Sequence, residues 1–179
     1  SITGYVGTKD YSHTDFGGNA GATIDAFGLP GDFIAGIDSD SDQYTEELQL
    51  LGTALDERLN YILGGFYLHE KATQDFGWHL FTPLSQSFLD TTVDSYALFG
   101  EAGYKITDKL KATVGLRWTQ DNKDFTDDFV RLEGNAFDIG LIPGLPPGLF
   151  PATEERIVLN GDWSETTPKF AIDYSLDPS

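Results

Sequence analysis

Between Tyr96 and Trp118 the chain reads YALFGEAGYKITDKLKATVGLRW. Alternate residues are Tyr96, Leu98, Gly100, Ala102, Tyr104 and Ile106, then, past a gap, Leu110, Ala112, Val114, Leu116 and Trp118. The set between them is Ala97, Phe99, Glu101, Gly103 and Lys105, then Lys111, Thr113, Gly115 and Arg117. A period of two is that of a strand, whose side chains point alternately to opposite faces. One face is apolar with aromatics towards its ends; the other is small, polar or charged. Thr107, Asp108 and Lys109 form the turn. Matching the apolar sets pairs Ile106 with Leu110, Tyr104 with Ala112 and Leu98 with Trp118. Three-residue hairpin loops are common, although the usual Gly is absent here. Both arms run well past ten residues when extended to Thr92 and Phe125. Strands of soluble proteins are mostly about five or six residues long, and roughly 9–11 residues cross the hydrocarbon of a bilayer. Two folds answer this pattern: a membrane-spanning hairpin, or a long hairpin whose apolar face lies in the core of a soluble sandwich.

The rest of the chain separates these readings. Six strands are expected, approximately Ser1–Tyr11, Gln43–Gly52, Leu59–Thr73, Thr92–Ile106, Leu110–Phe125 and Glu165–Leu176. The third, LNYILGGFYLHE, is apolar on both faces at its centre, so its facing stays open. The sixth puts Pro168, Phe170, Ile172, Tyr174 and Leu176 on one face, and Lys169, Ala171, Asp173 and Ser175 on the other. The connections Ser12–Asp42, Gln74–Thr91 and Thr126–Ser164 are long; Thr53–Arg58 and Thr107–Lys109 are short. Structureless connections beyond about 12–15 residues are uncommon in compact domains. Long ones alternating with tight turns are the asymmetry of an outer-membrane barrel, with long loops outside the cell and short periplasmic turns. The fold class expected is therefore all-β, an antiparallel transmembrane β-barrel segment.

Composition agrees. The 179 residues contain no Cys, which excludes disulfides and thiolate metal sites. No run approaches the roughly 18 apolar residues of a membrane helix. The formal charge of −18 disfavours nucleic acid as a partner. Six strands cannot close a membrane barrel, whose smallest examples have about eight. An open edge in lipid leaves backbone groups unsatisfied. The chain is thus expected to be a piece of a larger barrel, and the absence of Met points the same way.

Candidate sites follow from the facing. Leu98, Tyr104, Leu116, Trp118, Phe170 and Ile172 are expected to face lipid, and Glu101, Arg117 and Asp173 the lumen, with Glu101 diagonal to Arg117 as an ion pair. His69, Glu70 and His79 flank or lie within the second long connection, beside Phe76, Trp78 and Phe81. Ligand-contact candidates are Trp78, His79, Phe81 and Phe150, because binding residues concentrate on loops and aromatic faces need no charge match. Asp38, Asp40 and Asp42 alternate in DSDSD as metal candidates. The EF-hand pattern fails, with Gln43 and Gln49 where Gly and Glu are needed. No metal and no cofactor is expected. Nucleophile elbows, P-loops, zincin motifs and dinucleotide fingerprints are all lacking, so an enzyme is not expected.

The segments DQYTEELQLLG, LNYILGGFYLHE, DSYALFGEAGYKITDKLKATVGLRWTQDNKDF and TPKFAIDYSL, in this order, resemble the barrel of TonB-dependent outer-membrane receptors. The resemblance implies a plugged barrel of about 22 strands, of which residues 1–179 are a part. The plug and the remaining strands are not recognisable in this stretch. It further implies a Gram-negative outer-membrane location and active uptake of a scarce nutrient, such as a ferric siderophore. The implied partners are the TonB–ExbB–ExbD complex, reached through the plug, the small nutrient ligand, and outer-membrane lipid and lipopolysaccharide. The alternatives are a soluble or surface β-sandwich binding carbohydrate or calcium, and a passive porin.

Overall fold

In the computed structural model the chain forms one six-stranded antiparallel sheet in which each strand pairs with the next. The strands are β1 (Ile2–Asp15), β2 (Phe33–Ala54), β3 (Leu59–Leu80), β4 (Thr82–Lys105), β5 (Leu110–Arg131) and β6 (Thr153–Tyr174). The structure describes residues 1–15, 33–80, 82–135, 139–140, 144, 146–148 and 151–176. Among these no helix is long and apolar enough to cross a membrane.

β4 and β5 pair Tyr104 with Ala112 and Leu98 with Trp118, the register that the alternation implies. Their turn needs no Gly because Thr107 replaces its function. The Thr107 hydroxyl accepts hydrogen bonds from the backbone N–H groups of Lys109 (3.3 Å) and Leu110 (3.1 Å), a side-chain turn of the Ser/Thr kind. The β2–β3 turn takes the other route. Leu55, Asp56 and Glu57 have φ of 54°, 52° and 63°, and the Arg58 N–H closes the turn on the Leu55 carbonyl at 3.1 Å. Left-handed turn residues match the twist of paired strands.

The strands reach much further than their apolar patterning. β2, β3, β5 and β6 have 22 residues each and β4 has 24. This corrects the long connections. Gln74–Thr91 is not a loop: β3 continues to Leu80 and β4 begins at Thr82. Ser12–Asp42 shortens because β1 runs to Asp15 and β2 starts at Phe33, and Thr126–Ser164 because β5 runs to Arg131 and β6 starts at Thr153. The reason is that the continuous apolar face ends there. Backbone ladders persist through stretches such as Asp38–Asp42, but with no apolar face the period-two signal vanishes.

One irregularity interrupts the β3–β4 ladder. Trp78 pairs with Ser85 and His79 with Pro83, so β4 carries an extra residue at a bulge. Proline lacks an N–H and suits such a break.

Among the described residues there is one sheet layer and almost no core; only Ala35 and Ala97 are buried apolar residues. Leu98, Phe170 and Ile172 are 64%, 79% and 77% exposed. Close packing occurs instead on the sheet surface. A Cβ added at Gly64 would lie 2.7 Å from Phe99 Cε2 and 2.8 Å from the Leu48 carbonyl oxygen, so the Phe99 ring lies over the backbone of β3. Gly64→Ala should therefore cost about 1–3 kcal/mol, read as a lower denaturant midpoint of the folded protein in detergent micelles. An unchanged midpoint would mean that Phe99 swings aside without cost.

Candidate functional site

The register sorts every strand residue onto one of two faces. One face carries, from β2 to β6, the rows Leu48–Gly65–Leu98–Trp118–Thr166, Leu50–Leu63–Gly100–Leu116–Pro168, Gly52–Tyr61–Ala102–Val114–Phe170 and Ala54–Leu59–Tyr104–Ala112–Ile172. Leu98, Tyr104, Leu116, Trp118, Phe170 and Ile172 all belong to it. Tyr44, Tyr67, Tyr96 and Trp118 edge this apolar band on one side, and Tyr61, Tyr104 and Tyr174 on the other. Neighbouring rings touch: Tyr44 and Tyr67 centroids are 6.4 Å apart, Tyr67 and Tyr96 5.1 Å.

Beyond Tyr44 the same face becomes acidic. Asp38, Asp40 and Asp42 lie here at alternate positions of β2, and each has a different neighbour. Asp38 is 3.9 Å from His13 Nε2, Lys9 Nζ donates to Asp40 at 2.6 Å, and the Tyr5 hydroxyl donates to Asp42 at 2.5 Å. The bond to Asp40 holds the Lys9 ammonium above its ordinary range. No group of three His, Asp or Glu suited to a metal forms among the described residues. His69 and Glu70 fall on opposite faces. His69 Nδ1 meets Asp94 Oδ1 at 2.9 Å, an oxygen that also accepts from the Tyr67 hydroxyl at 3.1 Å. His79 lies apart from His69, lining a cleft of about 240 Å³ with His13, Asp38, Asp75 and Gln86, beside Gly36 and Gly77. The structure thus does not gather His69, Glu70 and His79.

The second face carries Glu101, Arg117 and Asp173. Its charge pairing differs from the diagonal expected. Lys169 Nζ donates to Glu101 Oε2 at 2.7 Å, reaching across β5 where Gly115 stands between them. A residue without a side chain leaves that path open. Arg117 instead lies over two rings, 5.7 Å from the Phe99 centroid and 5.9 Å from Phe66, and its Nε donates to Thr119 at 3.3 Å. Asp173 stands opposite Lys111.

Near the far end of this face the side chains become aromatic. Phe76 and Trp78 of β3 meet edge to face, centroids 5.2 Å apart. Two strands away, the Arg131 guanidinium lies 5.8 Å from the Phe129 centroid. Ser85 and Ser87 of β4 stand between the two pairs in the register. Trp78 and His79 are therefore strand residues on either side of the bulge, not loop residues, while Phe81 and Phe150 lie outside the described residues. Phe129 and Arg131 were missed by the sequence reading. Their signal is the odd-numbered series Phe125, Asp127, Phe129, Arg131, which continues the alternation of β5 beyond its apolar stretch.

The sheet is similar to part of the ferric yersiniabactin uptake receptor FyuA from Yersinia pestis. The TM-score is 0.63 at 13% identity, over 98% of this chain and 23% of that one. At that identity the likeness shows the fold, and the chain spans about a quarter of that receptor. No curated protein matches by sequence. Residues 2–179 match the family described as TonB dependent receptor-like, beta-barrel. Together with the six-stranded sheet, that match places the chain in the TonB-dependent receptor family, as a stretch of its β-barrel.

Proposed function

We propose that this chain is part of the wall of an outer-membrane receptor that actively takes up a scarce nutrient, a ferric siderophore or similar chelate. Energy comes from the TonB–ExbB–ExbD complex through a plug. The observation that carries this reading is the apolar band and its two aromatic edges. The upper edge drops two residue pairs from Tyr44 on β2 to Trp118 on β5, and the lower edge drops two from Tyr61 on β3 to Tyr174 on β6. Each slope is about 13.6 Å along the strands over about 14.4 Å across them, so the strands tilt by about 43° from the normal of the band. That agrees with the roughly 35–45° tilt of membrane barrels. Tyr96 and Tyr104, eight residues apart on β4, then sit about 20 Å apart along the membrane normal, close to the roughly 25 Å apolar belt of such barrels.

In this reading the face bearing Leu98, Tyr104, Leu116, Trp118, Phe170 and Ile172 meets lipid, and the face bearing Glu101, Arg117 and Asp173 lines the lumen. The strand extensions and the connections above them stand outside the cell, so Phe76, Trp78, Phe129 and Arg131 lie on the inner wall near the mouth. Rings and a guanidinium suit a ligand with flat apolar parts and negative charge. Uptake of ferric yersiniabactin is what the name of FyuA states for that receptor, and it supports a ferric ligand here. No chemistry at the wall is required, and the chain is read as a transporter, not an enzyme.

Two measurements test this. Arg placed at Val114 or Leu116, near the middle of the band on β5, should cost about 2–4 kcal/mol of folding stability in vesicles. Glu101→Ala, which removes a half-exposed pair, should cost under about 1 kcal/mol. Equal costs would contradict the assignment of faces. Trp78→Ala and Arg131→Ala should each weaken binding of ferric chelates to the whole receptor by roughly tenfold, about 1.4 kcal/mol, with TonB-dependent uptake falling in parallel. Uptake unchanged in both variants, or independent of TonB, would remove these residues or the transport reading respectively.

A further inference from the structure

On the face that carries Leu98 and Trp118, far above the tyrosine row, two glycines stand side by side. Gly36 of β2 is opposite Gly77 of β3, and the pair leaves a bare patch in the sheet surface. The cleft of about 240 Å³ lies on this patch. Asp38 and Asp75 form the next row towards the band, and Gln86 and Phe88 of β4 close one flank. The His13 ring closes the other. It folds over Gly36, where an added Cβ would lie 2.8 Å from His13 Cδ2. Pockets for drug-sized ligands measure roughly 300–1,000 Å³; this cleft has room for a single small ring.

The polar groups of the cleft are not used by the fold. Asp38 Oδ1 is buried and accepts no hydrogen bond; His13 Nε2, 3.9 Å away, is beyond bonding range. Asp75 is directly opposite Asp38. The side chains of Asp75 and Gln86 have no hydrogen-bond or ion-pair partner among the described residues. Like charges directly opposite one another destabilise a sheet, and residues 16–32, which join β1 to β2, contain no Lys or Arg to offset them. A local rule broken without compensation is a mark of function. The cleft offers acceptors on two carboxylates, donors on the Gln86 amide and the imidazoles, and a ring face on Phe88. Among the described residues no group of three metal ligands forms, and a simple cation has no use for the donors. A sugar ring uses all three, through hydroxyls that donate and accept and through its apolar C–H face.

Height narrows the source of the sugar. Gly36 is eight residues beyond Tyr44 on β2, about 20 Å further along the membrane normal at the strand tilt of the band. A sugar held there, outside the wall, is on no path through the lumen. It fits a glycolipid standing beside the receptor in the outer leaflet. Asp38 and Asp75 repel the phosphorylated units of such a lipid and leave its uncharged hexoses. We propose that this cleft seats an uncharged hexose from the oligosaccharide of a neighbouring lipopolysaccharide, with hydroxyls on Asp38, Asp75 and Gln86 and its C–H face on Phe88. The proposal rests on the lipid-facing assignment above.

The test uses the whole receptor in detergent micelles freed of lipopolysaccharide. The probe is the soluble core oligosaccharide left when lipopolysaccharide is deacylated, titrated by saturation-transfer NMR. The core should bind, and its hexose protons should carry the transferred signal. Asp75→Asn should weaken binding by about tenfold, the loss of a hydrogen bond to a charged group. Gly77→Val should abolish it. An added Cβ at Gly77 meets nothing closer than 3.9 Å, so that variant fills the patch without straining the sheet; binding of a ferric chelate, unchanged in both variants, confirms their fold. A maltooligosaccharide that binds more tightly than the core makes the ligand a free sugar and overturns the glycolipid. Displacement of the core by Mg²⁺ or choline makes the carboxylates a cation seat and overturns the sugar. No binding of the core, or equal binding by both variants and the parent, overturns the cleft and leaves the faces as assigned. Displacement of the core by the ferric chelate puts both ligands on one side of the wall and overturns the lipid-facing assignment itself.

Discussion

Backbone hydrogen bonding between neighbouring strands is the interaction on which everything else in this chain depends. Among the described residues there is no packed interior to hold the six strands; each is secured by the ladder to the next. Such an arrangement is stable in hydrocarbon because unsatisfied peptide groups are expensive there and the ladder satisfies those between neighbouring strands. It also leaves the outer edges of β1 and β6 in need of partners. In water the same sheet would expose an apolar face and two open edges, both hazards for aggregation.

The side chains then give the two faces different tasks. On one, tyrosines and a tryptophan frame leucines, glycines and a proline. On the other, packing is achieved by pairs that use the space above glycine. Phe99 lies over Gly64, and Lys169 reaches Glu101 across Gly115. Arg117 lies over Phe66 and Phe99 instead of pairing with Glu101. A guanidinium with two rings in reach gains attraction from both, while the shorter path over Gly115 leaves Glu101 to Lys169.

Much of this was legible wherever one face is apolar. The β4–β5 register, both tight turns and the strand order follow from alternation and from the short connections. The centre of β3 was not legible, because Tyr61, Leu63 and Tyr67 alternate with Ile62, Phe66 and Leu68 and both sets are apolar. Pairing with β2 and β4 decides which set joins the tyrosine rows. The upper halves of the strands were also hidden. Asp38, Ser39, Asp40 and Ser41 read as a loop, since neither face has a hydrophobic side, yet their peptide groups extend the ladder. Trp78 and His79 were read as loop residues because the polar run Glu70–Asp75 separates them from the apolar centre of β3. Phe129 and Arg131 pair along β5 itself; that they stand two strands from Phe76 and Trp78 depends on the register, which local patterning does not carry.

The bridge from Lys169 to Glu101 has a mechanical consequence. It joins β6 to β4 while passing over β5, so three strands are tied by one ion pair at a place where the middle strand has no side chain. Sliding β5 by one residue would bring Val114 or Leu116 into that gap and turn every side chain of the strand to the wrong face. The bridge and the alternation therefore oppose the same motion. Resistance to shear along the strands comes mainly from the backbone ladder, to which the half-exposed bridge adds under about 1 kcal/mol.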